Sequence, residues 1–388
     1  MLAYECGQGF GHVNRLAELA KRLRRRDAAT ILATFRLHDA EHVANAFDHV
    51  LQAPVWPLLF AGERVVVAQS GASFATALVS LGFDDPHYVA ANQRAWGSII
   101  EHWNARIVVA DYAPGAVLAA KGRCHSIQIG APFFTPTLSG KTFPPFVPGE
   151  HNDGAQEAAI LSAITVASGQ LGRPAPAGLR EAIIGDESMP IGFAEFDSYA
   201  SQRREPLLTP PMPPSNVERG HGDAVFFYLP EWMQRNDVVM ATLCALNQPR
   251  QLFLPRMDKD LAESLMKYDV VLASKPFSIE ELARSARVFV HHGGTGSSEL
   301  GLITGVPQIA LASDMEKRWN GQALSTLGVG RALDGTRLTL PLLREAITDI
   351  FNDDAMHRHA IEVAAKMRSR LSEQHPLDLV TDRVLARL

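Results

Sequence analysis

Short apolar runs alternate with amphipathic stretches along most of the chain. Residues 1–4 are apolar, and the turn Gly7-Gln8-Gly9-Phe10-Gly11-His12 follows them. Over 13–25 the apolar positions recur at helical spacing, with Leu16, Leu19, Ala20 and Leu23 on one face. That period predicts a helix lying on a core. The pattern then predicts a strand over 30–35, a helix over 88–103, and a strand over 106–111 that ends in Asp111. A helix over 114–120, a strand over 126–130, helices over 155–169 and 177–184, and a strand over 189–196 complete the first half. Between 50 and 83 short strands mix with a helix, around the apolar cores Val65-Val66-Val67 and 75–81. The stretch 133–149, rich in Pro and aromatics, reads as a loop.

The second half opens with a strand over 224–229. Helices over 238–246, 261–267 and 279–285 alternate with strands over 251–254 and 270–273 and the run Val288-Phe289-Val290-His291. A helix over 377–388 follows Pro376. Strands alternating with helices indicate a parallel sheet covered on both faces. Pro206, Pro210, Pro211, Pro213 and Pro214 crowd one segment, which marks 205–222 as a linker between domains at 1–204 and 223–376.

Composition narrows the class. A chain of 388 residues has room for two to three domains. It is 46% hydrophobic and 20% charged, as soluble globular proteins are. A net charge of −5 argues against a broad nucleic-acid surface. Cys6, Cys124 and Cys244 are too scattered for a metal site or a disulfide framework, so the expected compartment is a reducing cytoplasm. No signal-peptide pattern follows Met1, and no run of about 20 uncharged apolar residues exists to span a membrane. The basic cluster Lys21, Arg22, Arg24, Arg25 and Arg26 reads as a solvated helix end that suits the dipole; a peripheral membrane contact is the rival reading.

The chemistry gathers after residue 288. An apolar run breaks into His292-Gly293-Gly294-Thr295-Gly296-Ser297 and then into a helical pattern. Orphan N–H groups and the helix dipole at such a place attract anions, and glycines let a phosphate come close. The reading is a nucleoside-diphosphate site, although a Gly turn alone is equally a tight turn. In the first half, His12 is either a catalytic or substrate-contacting residue or a plain helix cap. Asp111, at a strand's C-terminal end, is either a ligand-side carboxylate or a cap for the next helix.

Several residues at fixed spacing add to this. His292 to Ser297, Gly305-Val306-Pro307, Glu316 with Asn320, and Pro276 upstream together resemble the donor-binding signature of the GT-B glycosyltransferases. The resemblance is to the UDP-glycosyltransferase family and its bacterial antibiotic-glycosylating and MurG-like relatives. It implies an α/β fold of two Rossmann-like domains facing across a cleft, with the helix 377–388 crossing back onto the N-terminal domain. It implies that His292, Gly293, Gly294, Thr295, Gly296 and Ser297 hold the donor diphosphate. Ser274, Pro276, Phe277 and Glu299 would stand at the nucleoside, and Glu316, Lys317 and Asn320 at the sugar. His12 would be the catalytic base and Asp111 its partner. Trp56, Phe60 and Phe74 lie where the family shapes its acceptor pocket, with core packing the better reading for each. The sequence departs from the pattern at Leu300, where the ribose carboxylate is expected and Glu299 sits one residue early. Ser274 replaces an aromatic, and Lys317 replaces a Gln.

The expected activity is sugar transfer from a nucleoside-diphosphate-sugar, a co-substrate rather than a cofactor, to a hydroxyl acceptor. It would invert the anomeric centre without a metal, because no Asp-x-Asp cluster serves the diphosphate. The rivals are a non-catalytic sugar-nucleotide-binding protein and a sugar-nucleotide epimerase of the same fold.

Overall fold

The computed structural model describes residues 1–7, 10–59, 71–147, 149–213 and 217–388. Gln8, Gly9, Phe60, the run Val65-Val66-Val67 and Pro214 lie outside them. The chain divides into two compact units, Met1–Pro210 with Gln374–Leu388, and Pro211–Glu373.

In the first unit six strands form one parallel sheet: β1 (Leu2–Tyr4), β2 (Ile31–Thr34), β3 (His49–Gln52), β4 (Ile107–Asp111), β5 (His125–Gly130) and β6 (Glu187–Pro190), in the order β3-β2-β1-β4-β5-β6. β1 and β4 are buried along their whole length, as central strands covered on both faces must be. Helix α1 (Gly11–Arg24) turns Val13, Leu16, Ala17, Leu19, Ala20 and Leu23 onto the sheet. The helix Pro86–His102 starts at Asp85, whose carboxylate accepts from the His87 and Tyr88 N–H groups, with Pro86 at its first position. The C-terminal helix Pro376–Leu385 sends Leu377, Val380 and Val384 into the cluster that holds Leu2, Leu16 and Val109. Each such side chain, fully buried, stabilises by about 1.5–3 kcal/mol. Three cations of the basic cluster are paired: Lys21 with Glu18 at 2.6 Å, Arg22 with Asp378 at 2.8 Å and Arg24 with Asp48 at 3.4 Å.

The strand expected over 189–196 is shorter and earlier, at Glu187–Pro190, and Ala194–Phe196 is a 3-10 turn. Pro190 has no N–H to continue the ladder, and Phe193 and Phe196 are both fully buried, so the stretch does not alternate as a strand would.

The second unit repeats the plan. Its strands are β7 (Ala224–Tyr228), β8 (Arg250–Phe253), β9 (Val270–Leu272), β10 (Ala286–His291), β11 (Gln308–Ala312) and β12 (Gly330–Asp334), all parallel, in the order β12-β11-β10-β7-β8-β9. Counted from its own first strand this is the same doubly wound order as in the first unit. The order reverses between β1 and β4 in one sheet and between β7 and β10 in the other. In open α/β sheets ligands bind beyond the carboxyl ends of the strands at that reversal. Helix α2 (Thr295–Thr304) follows β10, and Gly305, in the left-handed region at φ 70°, ends it. Helix α3 (Met315–Thr326) follows β11 and is capped by Asp314. The helix Ile279–Ser285 begins in a reciprocal cap between Ser278 and Glu281. Among the described residues no helix is long and apolar enough to cross a membrane.

Candidate functional site

In the first unit the loops after β1 and β4 meet at the reversal point. His12, in the first turn of α1, puts its Nδ1 2.7 Å from the Asp111 Oδ1 at the end of β4. Arg15, one turn further along α1, donates from Nη1 to the other oxygen, Asp111 Oδ2, at 2.5 Å. Asp111 is fully buried. Burial alone would raise its pKa, but Arg15 and His12 more than offset that and hold it below the usual carboxylate range. The ionised carboxylate accepts the Nδ1 proton, so Nε2 is the nitrogen turned away from Asp111. Gly7 lies beside that nitrogen at φ 108°, and a Cβ there would sit 3.2 Å from it. Tyr4 stacks on the His12 ring at 4.8 Å, and Phe134 meets it edge-on at 5.1 Å. Asp111 makes no capping bond to the next helix, whose N-terminal residue Ala113 has no side-chain cap.

Behind this pair lies a carboxylate that the sequence reading did not single out. Glu5 is fully buried and accepts four hydrogen bonds: Trp56 Nε1 at 2.8 Å, Trp96 Nε1 at 2.9 Å and Asn92 Nδ2 at 2.8 Å on Oε1, and Gly115 N–H at 2.7 Å on Oε2. Burial pushes its pKa up, and the four donors offset only part of that. Glu5 thus ties the chain leading to His12 to the helix Pro114–Ala120 that follows Asp111, and Cys6 N–H to the Tyr112 carbonyl at 3.1 Å is a second tie. Trp56 is fully buried and Phe74 nearly so, which makes both core residues and not a pocket lining.

In the second unit the corresponding place is the loop after β10, beside Tyr228 at the end of β7. The tandem histidines divide the work. His291 is fully buried; its Nδ1 accepts from Gly293 N–H at 3.0 Å, so its Nε2 carries the proton and donates to Gln308 Oε1 at 2.9 Å. Burial lowers its pKa to about 4, so it is a neutral brace that shapes the turn at Gly293. His292 packs at 6.3 Å against the Tyr228 ring. Burial, with Lys317 and His291 nearby, holds it well below the ordinary imidazole range. The ring is therefore neutral at pH 7, and a neutral imidazole can still donate one N–H to an anion. Gly293, at φ 85°, lets the loop pass close to α3: a Cβ there would lie 3.1 Å from that of Lys317. Gly294 is the N-cap of α2, and Thr295, Gly296 and Ser297 form its first turn, with open space over Gly296.

The residues expected at the sugar are placed differently from one another. Glu316 reaches the first turn of α2, where its Oε1 accepts from Thr295 N–H at 3.1 Å and from Thr295 Oγ1 at 2.9 Å. Lys317 is buried and its Nζ pairs with Asp314. Burial would lower its pKa, but Asp314 and then Glu316 outweigh that and raise it. Asn320 is fully buried behind the loop and donates to the Gly293 carbonyl at 2.9 Å, so it holds the loop instead of facing a sugar.

At the nucleoside end, Ser274 and Pro276 are exposed before the helix Ile279–Ser285, and Glu299 is half-buried in α2. Phe277 is a core residue, buried with its ring 4.6 Å from that of Phe226, so it cannot stack on a base from there. Leu300 packs on the same cluster. Sequence reasoning missed Arg15, Glu5, His291 and Gln308. Only Arg15 had a local signal, three residues after His12 on the same helix face.

Comparison with known proteins points to one group. Residues 269–384 match the family described as erythromycin biosynthesis protein CIII-like, C-terminal domain. The chain is 32% identical over 106 residues to the oleandomycin glycosyltransferase of Streptomyces antibioticus. It is 38% identical over 92 residues to the 3-alpha-mycarosylerythronolide B desosaminyl transferase of Saccharopolyspora erythraea. These stretches cover 27% and 24% of this chain and only 25% and 21% of the two relatives. Over the whole chain the fold is similar to that of the kitacinnamycin glycotransferase, with a TM-score of 0.66 at 17% identity, covering 100% of this chain and 98% of that one. CalG4, the calicheamicin glycosyltransferase, has a TM-score of 0.65 at 19% identity, covering 100% and 97%. VinC in complex with dTDP has a TM-score of 0.62 at 11% identity, covering 100% and 99%.

Proposed function

We propose that this chain, a GT-B protein whose residues 269–384 are of the EryCIII-like C-terminal kind, is a glycosyltransferase. It takes a sugar from a UDP- or dTDP-sugar and transfers it to a hydroxyl of a small-molecule or lipid acceptor. The observation that carries the reading is the glycine loop from His292 to Ser297. It opens a helix at the reversal point of the second sheet, inside residues 269–384, which match the EryCIII-like family.

The donor diphosphate lies on the first turn of α2, where the Gly296 and Ser297 N–H groups and the helix dipole face it, with the Thr295 N–H freed when Glu316 turns away. As the bond from the anomeric carbon to the diphosphate oxygen breaks, charge grows on that oxygen. The helix turn stabilises it, and no metal is required. The acceptor hydroxyl attacks the anomeric carbon from the opposite face, which inverts it. His12 Nε2 takes the hydroxyl proton, and Asp111 holds the ring in the tautomer that can do so and offsets the charge it gains. Glu316 turns from Thr295 to the sugar hydroxyls.

The test is turnover of a panel of UDP- and dTDP-sugars with hydroxyl acceptors, followed by mass spectrometry, for wild type and His12→Ala, each with and without EDTA. Transfer by wild type, insensitive to EDTA and lowered about 10²–10⁴-fold in His12→Ala with donor binding kept, is the expected result. Binding without transfer for every pair would leave a sugar-nucleotide-binding protein. Near-wild-type turnover in His12→Ala would remove the base.

A further inference from the structure

The His12–Asp111 pair has a third member. The Asp111 carboxylate has two oxygens, and α1 supplies a partner to each: His12 Nδ1 to Oδ1 and Arg15 Nη1 to Oδ2. The carboxylate is fully enclosed, and a Cβ at Gly130 would come within 2.7 Å of Oδ1, so the group has little freedom to turn. Arg15 keeps 22% of its side chain exposed. Among the described residues, the other groups that face the ring are the Tyr4, Tyr112 and Phe134 rings. Tyr4 is neutral because burial pushes its hydroxyl well up; Asp39, Asp111 and Cys6 add to that rise and Arg36 opposes it. Among the described residues, Arg15 is the cation in contact with the pair.

We propose that Arg15 is a positioning residue that fixes the second oxygen of Asp111 and offsets its charge, and so sets how firmly His12 holds a proton. A lone carboxylate beside an imidazole favours the imidazolium, which would leave the base already protonated over part of the neutral range. A guanidinium on the far oxygen weakens that pull while the carboxylate still orients the ring. Arginine does not deprotonate in the working range, so the offset is the same at every pH of an assay. A serine or glutamine on the far oxygen would orient Asp111 equally well but would leave its charge undiminished.

The kinetic arm of the test rests on His12 being the base; the spectroscopic arm does not. The His12 ring is followed by NMR through a pH titration of the substrate-free protein, and kcat/KM is measured across the same range, for wild type, Arg15→Gln, Arg15→Lys and Asp111→Asn. In Arg15→Gln the ring midpoint moves up by about half to one pH unit, and the acid limb of kcat/KM moves with it. Arg15→Lys keeps the charge and stays near wild type, and Asp111→Asn moves the midpoint the other way. An unmoved midpoint in folded Arg15→Gln, or an equal shift in Arg15→Lys, overturns the proposal. A midpoint that moves without the kinetic limb upholds Arg15 and removes His12 as the base. Should Arg15→Gln fail to fold, Arg15→Met, matched in length, carries the same comparison.

Discussion

If the donor diphosphate lies on the first turn of α2 as proposed, Glu316 stands in its way. Its Oε1 accepts from the Thr295 N–H at 3.1 Å and the Thr295 hydroxyl at 2.9 Å, with Asn320 Nδ2 at 3.4 Å as a weaker third donor. In the absence of donor, the first turn of α2 is thus capped by the protein's own carboxylate. A bound diphosphate has to displace it or share the turn with it. Hydrogen bonds to an ionised acceptor stabilise by about 1.5–3 kcal/mol and to a neutral one by about 0.5–1.5, so Glu316→Gln weakens each Thr295 bond by roughly 1 kcal/mol. The carboxylate is half-exposed and recovers part of this in water, which leaves about 1–2 kcal/mol in favour of the incoming ligand. UDP or dTDP without a sugar should therefore bind Glu316→Gln about 5–30-fold more tightly than wild type, by titration calorimetry. Turnover of the full nucleotide-sugar should fall in the same variant, because the sugar hydroxyls lose an ionised acceptor. Nucleoside-diphosphate affinity that is unchanged or weaker would refute the competition. It would also mean that Glu316 rests on Thr295 at no expense to the donor.

Two further outcomes concern stability. His291 and His357 are held near 4 by burial, with Arg287 adding to the effect at His357, and His292 lies well below the ordinary range. Their folded values lie below an unfolded value of about 6.5, so the stability they contribute is complete above that pH and is lost as pH falls toward 4. Chemical unfolding from pH 7 to 4.5 should show a falling midpoint, with a slope approaching about 1.4 kcal/mol per pH unit for each histidine; a flat profile would contradict the burial argument. Glu5→Gln turns an amide NH₂ toward either the Gly115 N–H or the Trp56, Trp96 and Asn92 donors, and leaves at least one of them unpaired. The expected loss is about 1–3 kcal/mol in denaturant melts, and a change under about 0.5 kcal/mol would show that the four donors find other partners.

The sequence made the sheet order plausible but left parts of it unread. Runs such as 107–111 and 286–291 announce buried strands because their apolar residues are contiguous. β12, Gly-Arg-Ala-Leu-Asp, has no such run; it pairs at the sheet edge beside β11, and only that pairing makes it a strand. β11 begins on a glutamine whose reason is His291, 17 residues away. At the site, the glycine loop was legible because glycine's freedom is a local property. The roles of the residues around it were not, because they depend on which neighbours fold against them. Lys317 meets Asp314, Phe277 turns into the core, and Asn320 faces the loop's back. Glu5 gave no signal at all, since its donors come from 51, 87, 91 and 110 residues away.

The helix Pro376–Leu385 belongs to the unit that begins at Met1, while Pro211–Glu373 lies uninterrupted between the two pieces. During synthesis the second unit is therefore complete while the first still lacks Leu377, Val380 and Val384, and the α1 surface they cover waits bare until those residues are made. A nascent chain of this topology offers chaperones an apolar groove for the time taken to translate some 160 residues. A stop codon placed shortly before Pro376 would leave the later-made half intact and the earlier-made half unfinished.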